Sequence, residues 1–230
     1  MKKLAILTIV AVVATAQEQQ LDDNALKGVI LRELCSWHMP EIVRDENNNI
    51  IPYHFPTAQD IVNEYNIPVE RMTSILEEMI KENLAIFEKT PKPNPNVYDP
   101  KARDTYLTAA GNVSPLIEAL STFHNANTIA LLHKCILVEN ADIFIEAMKI
   151  YIIIAGADSL PFLREVFTTK IINPKDITYF EDSMQVAVEK LREENKVADA
   201  EQITIFLNEM KQAEQPKEKQ VEQKEEKKEE

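Results

Sequence analysis

The sequence predicts a mainly α-helical chain, and three observations carry that prediction. Among 230 residues there are only three glycines, Gly28, Gly111 and Gly156, whereas barrels and sandwiches use glycine at bulges and tight turns. Apolar residues recur at spacings of three and four, as in Leu26, Ile30, Leu34 and Trp37 or Ile177, Phe180, Met184, Ala187 and Leu191, which is the period of one helix face. Proline and asparagine stand where helices begin, at Ser114-Pro115 and Asn173-Pro174, the positions at which a missing N–H costs nothing. With 45% apolar and 27% charged residues the chain has the composition of an ordinary folded protein. The glycine shortage also excludes phosphate-cradling loops, which need two or more glycines within a few residues.

The first sixteen residues read as an address. Lys2 and Lys3 precede the uncharged run Leu4 to Ala14, and Ala14-Thr15-Ala16 places small residues at −3 and −1 of a cut between Ala16 and Gln17. This is the three-part pattern of a secretory signal peptide. Its apolar run is shorter than the roughly 20 residues of a bilayer-spanning helix. The expectation is an exported protein, periplasmic or secreted, with no membrane association once residues 1–16 are removed. Removal deletes Lys2 and Lys3 and takes the formal charge from −13 to −15, a balance that repels nucleic acid and anionic surfaces. Cys35 and Cys135 are the only cysteines. In an oxidising compartment they can form one disulfide; on apolar helix faces each can equally serve as a small unpaired hydrophobe.

Residues 17–24 form an N-terminal extension, whose Asp22, Asp23 and Asn24 cap the first helix; Pro40 marks that helix's end. Thr57-x-x-Asp60 is a capping box opening a helix through Ile61 and Tyr65 that breaks at Asn66 and Pro68. A second helix starts at Val69 with Met72, Leu76, Met79 and Ile80 inward. Leu84-Ala85-Ile86-Phe87 reads as a strand, Thr90 to Pro100 with four prolines as a loop, and Asp104 to Thr108 as a returning strand closed by Gly111.

That order resembles a winged helix–turn–helix over residues 25–112. Thr57-Ala58-Gln59-Asp60-Ile61 is similar to the opening of the motif's first helix. Asp99-Pro100-Lys101-Ala102-Arg103 followed by Tyr106-Leu107-Thr108-Ala109-Ala110-Gly111 resembles the wing-to-strand segment of antibiotic-resistance-type repressors. The resemblance implies DNA binding through the motif's second helix. Charge opposes that implication. The outer positions from Val69 to Asn83 hold four acids and two bases, and Ala25 to Leu120 holds nine Lys and Arg against fourteen Asp and Glu, a net of −5, where phosphate attraction should supply most of the affinity. A winged module kept as a structural or protein-binding unit is therefore the expectation.

Residues 113–212 read as stacked helices. Asn127 and Asn140 are candidate caps, and the Asn140 helix ends at Gly156. Between Ala141 and Ala155 the charges Asp142, Glu146 and Lys149 form one stripe that stops at Ile150. The apolar turn Ile150-Tyr151-Ile152-Ile153-Ile154 must lie at the centre of a stack or serve as a binding surface. Asp158 caps a short helix with Leu160, Leu163 and Val166, and a final helix after Asn195 carries Ile203, Phe206, Leu207 and Met210. Pro115-Leu116-Ile117-Glu118-Ala119-Leu120 and Pro161-Phe162-Leu163-Arg164-Glu165-Val166 match in pattern 46 residues apart, a HEAT or armadillo period. Ile154 to Leu163 also resembles a HEAT inter-repeat turn. A plain helical bundle is the alternative. Residues 213–230, with five Lys, seven Glu and Val221 as the sole large aliphatic, form a charged tail expected to stay disordered.

No catalytic constellation emerges. His38, His54, His124 and His133 lack metal-ligand spacing, and no nucleophile elbow exists. The acid pairs Asp22-Asp23, Asp45-Glu46 and Glu77-Glu78 read as solvated faces. The sequence thus predicts a non-enzymatic protein-binding module with no catalytic, cofactor or metal residues, its partner a protein rather than a nucleic acid. A winged-helix regulator, should residues 1–16 be retained, is the alternative, and a hydrolase with an unrecognised carboxylate pair a second.

Overall fold

A computed structural model of the chain describes residues 21–36, 55–90, 99–169 and 174–214. Among them every regular element is helical. Asp22 caps α1 (Asp23–Ile30), its Oδ1 accepting from Ala25 N at 2.8 Å, and a π-turn continues the helix over Leu31–Cys35. Thr57 opens α2 (Ala58–Tyr65) with both bonds of the capping box in place. Asn66 ends it at φ 49°, a left-handed corner that asparagine tolerates better than most residues.

From Pro68 runs α3 (Val69–Lys89), and here the winged reading fails. Leu84 to Phe87, expected as a strand, is the continuation of α3. Asp104 to Thr108, expected as the returning strand, lies within α4 (Pro100–Ala119). No described residue forms a β-strand. The sequence explains why: Leu76, Ile80 and Leu84 are all buried at four-residue steps, with Phe87 packed against the core beyond them. The apolar run merely ends a helix face. Gly111 does not close a wing, and Pro115 does not start a helix, since both lie inside α4. Pro115 forfeits the bond that its N–H would make to the carbonyl of Gly111, four residues back. The boundary expected between residues 112 and 113 falls within the same helix.

Beyond α4 come α5 (Thr128–Ile136), α6 (Ala141–Ala155), α7 (Leu160–Thr169), α8 (Pro174–Glu193) and α9 (Val197–Glu214). Asn140 caps α6, accepting from Ile143 N at 3.1 Å. Asn127 makes no side-chain cap; Asn125 Oδ1 accepts from Asn127 N instead, and Thr128 Oγ1 accepts from Asn125 N. Asp158 lies in a 3₁₀ turn (Gly156–Ser159) ahead of α7 rather than capping it, and Ser159 Oγ donates to Gly156 O at 2.6 Å. At the α8–α9 joint Asn195 has φ 61°. The bonds Lys196 N to Leu191 O and Asn195 N to Arg192 O form a Schellman end with asparagine where glycine is usual.

The helices pack in two rows. One row runs α4, α6, α8, each touching the next. The other runs α3, α5, α7, α9, joined by Thr128 to Glu77, by His133 to Phe162, and by Phe167 to Phe206. Across the rows α3 packs on α4, α5 on α6 and α8 on α9. At the centre is α6, in contact with α4, α5 and α8. Its last turn is core rather than a binding surface: Ile150, Tyr151, Ile152 and Ile153 are all buried. At about 1.5–3 kcal/mol for each fully buried Ile side chain, this turn is among the largest contributors to the fold. One continuous hydrophobic cluster runs from Leu26 to Leu207.

Candidate functional site

A concavity lies between α3 and α5, with α4 contributing to its wall. Helices α3 and α5 are tied at one end by a buried polar link. Thr128, at 0% exposure, donates from Oγ1 to Glu77 Oε1 at 2.7 Å, and Glu77 is itself 5% exposed. Lys81 Nζ stands 3.6 Å from the other Glu77 oxygen. Glu77 is thus no solvated face, in contrast to the reading of its acid pair. Unpaired it would be costly, because a buried polar group without its partner loses roughly 1–3 kcal/mol.

Beside this link lies a cleft of about 750 Å³. Leu84, Leu131 and Val138 contribute its apolar lining. Phe87 and Tyr106 form one wall, packed edge to face with centroids 4.8 Å apart, and Leu137 stands beside it at 63% exposure. Lys81, Lys89 and Lys134 on the lining outnumber Glu88 and Glu139, a local excess of cations on a chain of net charge −13. An apolar lining with a few charged groups is what a docking groove for a side chain or helix requires.

A second groove runs between the end of α1, α4 and the start of α6. Leu34, Cys35, Phe55, Leu107, Gly111 and Pro115 line it together with Glu118, Asp142 and Glu146. Burial pushes the Glu146 carboxyl above its ordinary range; Lys149, at 2.8 Å, opposes the shift and Glu118 adds to it. Among the described residues no group of three or more His, Cys, Asp or Glu is placed to hold a metal ion.

The two cysteines are not joined. Both are free thiols: Cys35 is half-buried and donates to Asn112 O at 3.7 Å, while Cys135 is fully buried in α5. Burial raises both to about 12, which keeps them protonated and weakly nucleophilic. The cut between Ala16 and Gln17, together with Asp45, Glu46, His38, His54 and most of the tail 213–230, lies outside the described residues. Of the remaining acid pair, Asp22 caps α1 and Asp23 bonds Arg71 at 2.7 Å. His124 is exposed in the α4–α5 connection. His133 is packed between rings.

The cleft residues Phe87, Tyr106, Lys134 and Leu137 were not candidates from sequence. Two of them belong to segments read as strands. For Phe87 the signal is the unbroken four-residue step from Leu76 through Ile80 to Leu84, which puts it near the end of a helix face. No helix among the described residues is long and apolar enough to cross a membrane. No protein-family model, no curated protein and no solved structure matches this chain.

Proposed function

We propose that this chain is an exported, non-enzymatic protein-binding module whose paired helices stack in the manner of HEAT repeats, and that its partner docks in the α3–α5 cleft. The observation that carries this reading is the cleft itself. It combines apolar surface, an exposed Leu137 and three lysines in one concavity between α3 and α5. Stacked helix pairs bury their faces against neighbours and commonly offer such extended surfaces to partners. The two-row order, in which helices contact those one pair along, supports the repeat reading over a plain bundle.

Charge supports a protein rather than nucleic acid. Of the three bases on α3, Arg71 and Lys81 are turned to the chain's own acids, Asp23 and Glu77, and Lys89 lines the cleft. Export rests on Lys2, Lys3 and the small residues before Gln17.

The test is a photo-crosslinking residue at Leu137 in cells, with the same residue at exposed Ile205 of α9 as the comparison. A discrete protein adduct from position 137 and none from 205 is expected. No adduct, or equal adducts at both, overturns the cleft as the docking site. The native chain should begin at Gln17, and a chain beginning at Met1 overturns the export assignment.

A further inference from the structure

His133 stands where α5, α6 and α7 meet. Its ring lies flat on Phe162 of α7, centroids 3.8 Å apart and planes within 12°. Tyr151 of α6 meets the same ring edge-on at 4.8 Å and 87°, and also meets Phe162 at 5.9 Å and 84°. The imidazole Nε2 is buried and has no hydrogen-bond partner. A phenyl ring could fill this space without orphaning a nitrogen. A neutral imidazole is tolerated there, but an imidazolium would carry a charge and an N–H that nothing accepts.

The groups facing the ring offer little to a cation. On α6 the neighbour is Tyr151, whose phenol is itself pushed up, by burial and by Asp158 in the turn beyond. On α7 it is Phe162, which does not titrate. On its own helix the next residue is Lys134, a like charge that lines the cleft. Asp158 acts on the cluster through Tyr151. The ring faces attract a cation, but burial prevails and holds His133 below its ordinary 6.5.

From this packing we infer that His133 makes the α5–α6–α7 junction a pH-sensitive joint, closed while the ring is neutral and loosened when it takes a proton. The sign follows from linkage. The native ring holds its proton less tightly than the exposed ring, so the opened state binds more protons as pH falls through 6.5, and closure weakens toward acid. With the opened ring titrating at 6.5, proton uptake can raise the opening equilibrium between pH 7.0 and 5.5 by at most about eightfold.

Two measurements on the full chain test this. The His133 ring, titrated by NMR, should show a pKa below 6.5. Amide exchange over α7, corrected for intrinsic chemistry, should accelerate several-fold from pH 7.0 to 5.5, and His133→Phe should abolish the acceleration. A ring pKa of 6.5 or above overturns the joint, as does a change under twofold or an equal change in the variant. Should His133→Phe fail to fold, the ring titration and the wild-type exchange decide between these outcomes.

Discussion

Adding one methyl group at the corner between α6 and α7 should be among the most damaging small changes to this fold. Gly156 closes α6 with φ +56° and ψ −135°, and its N–H donates to Ile152 O. An L-residue held there carries strain of roughly 1–3 kcal/mol. The space is also taken. A Cβ on Gly156 would lie 2.8 Å from Asp199 Cγ and 3.3 Å from its Cβ, with Oδ2 closer still. Overpacking typically costs about 1–3 kcal/mol, and the lower half applies because Asp199 is a side chain in the first turn of α9 that can partly swing away. Gly156→Ala should therefore lose about 2–5 kcal/mol. For a chain of this size that lowers Tm by roughly 4–20 °C. Urea unfolding of the single variants and of Gly156→Ala with Asp199→Ala separates the two parts. Removing Asp199 alone forfeits only its favourable charge at a helix start, about 0.3–1 kcal/mol. In the double variant the steric share of about 1–2 kcal/mol should return while the backbone strain stays. A loss under about 0.5 kcal/mol from Gly156→Ala, or strictly additive variants, would refute the reasoning.

The other glycines should behave in the opposite way. Gly28 and Gly111 sit inside helices with nothing within 4 Å of an added Cβ, so Gly28→Ala and Gly111→Ala should each stabilise by about 0.5–1 kcal/mol in urea titrations. Thr128→Val removes the donor to buried Glu77 and should cost about 1–3 kcal/mol, whereas adding Glu77→Leu to it should recover part of that loss. Thiol reagents should leave Cys135 unmodified in the native state and label Cys35 slowly, and both should react at once after unfolding. Native protein that lacks two free thiols would contradict the separate burial of the two cysteines.

Local signals were legible in the sequence where they act over a few residues. The capping box at Thr57 and Asp60, the Asn140 cap, the break at Asn66 and the glycine end of α6 each depend on groups at most four positions apart, and each stands where the pattern put it. The α8 seam of Phe180, Met184, Ala187 and Leu191 is likewise buried. The misreadings arose where one pattern fits two structures. A four-residue apolar run such as Leu84 to Phe87 suits a buried strand or a helix end equally, and the prolines after it favoured the strand. Ser114-Pro115 has the form of a helix start, yet here it lies inside α4. The cleft was beyond reach for a further reason. It consists of no element of its own: its lining comes from α3, α4 and the end of α5, and no local spacing encodes how those helices meet.

The two-row order also bears on how the chain reaches its fold. Most helix contacts join neighbours or next neighbours along the sequence, so each closure needs only a short loop and little entropy. Chains of that kind fold quickly, because local contacts form before distant ones are needed. The exceptions are the π-turn after α1, which packs on α4, and the 3₁₀ turn before α7, which packs on α9. Synthesis from the N-terminus therefore leaves α4 and α5 without their central support until α6 emerges. The isoleucine turn of α6 is the point at which the growing chain passes from a collection of helix pairs to a single core.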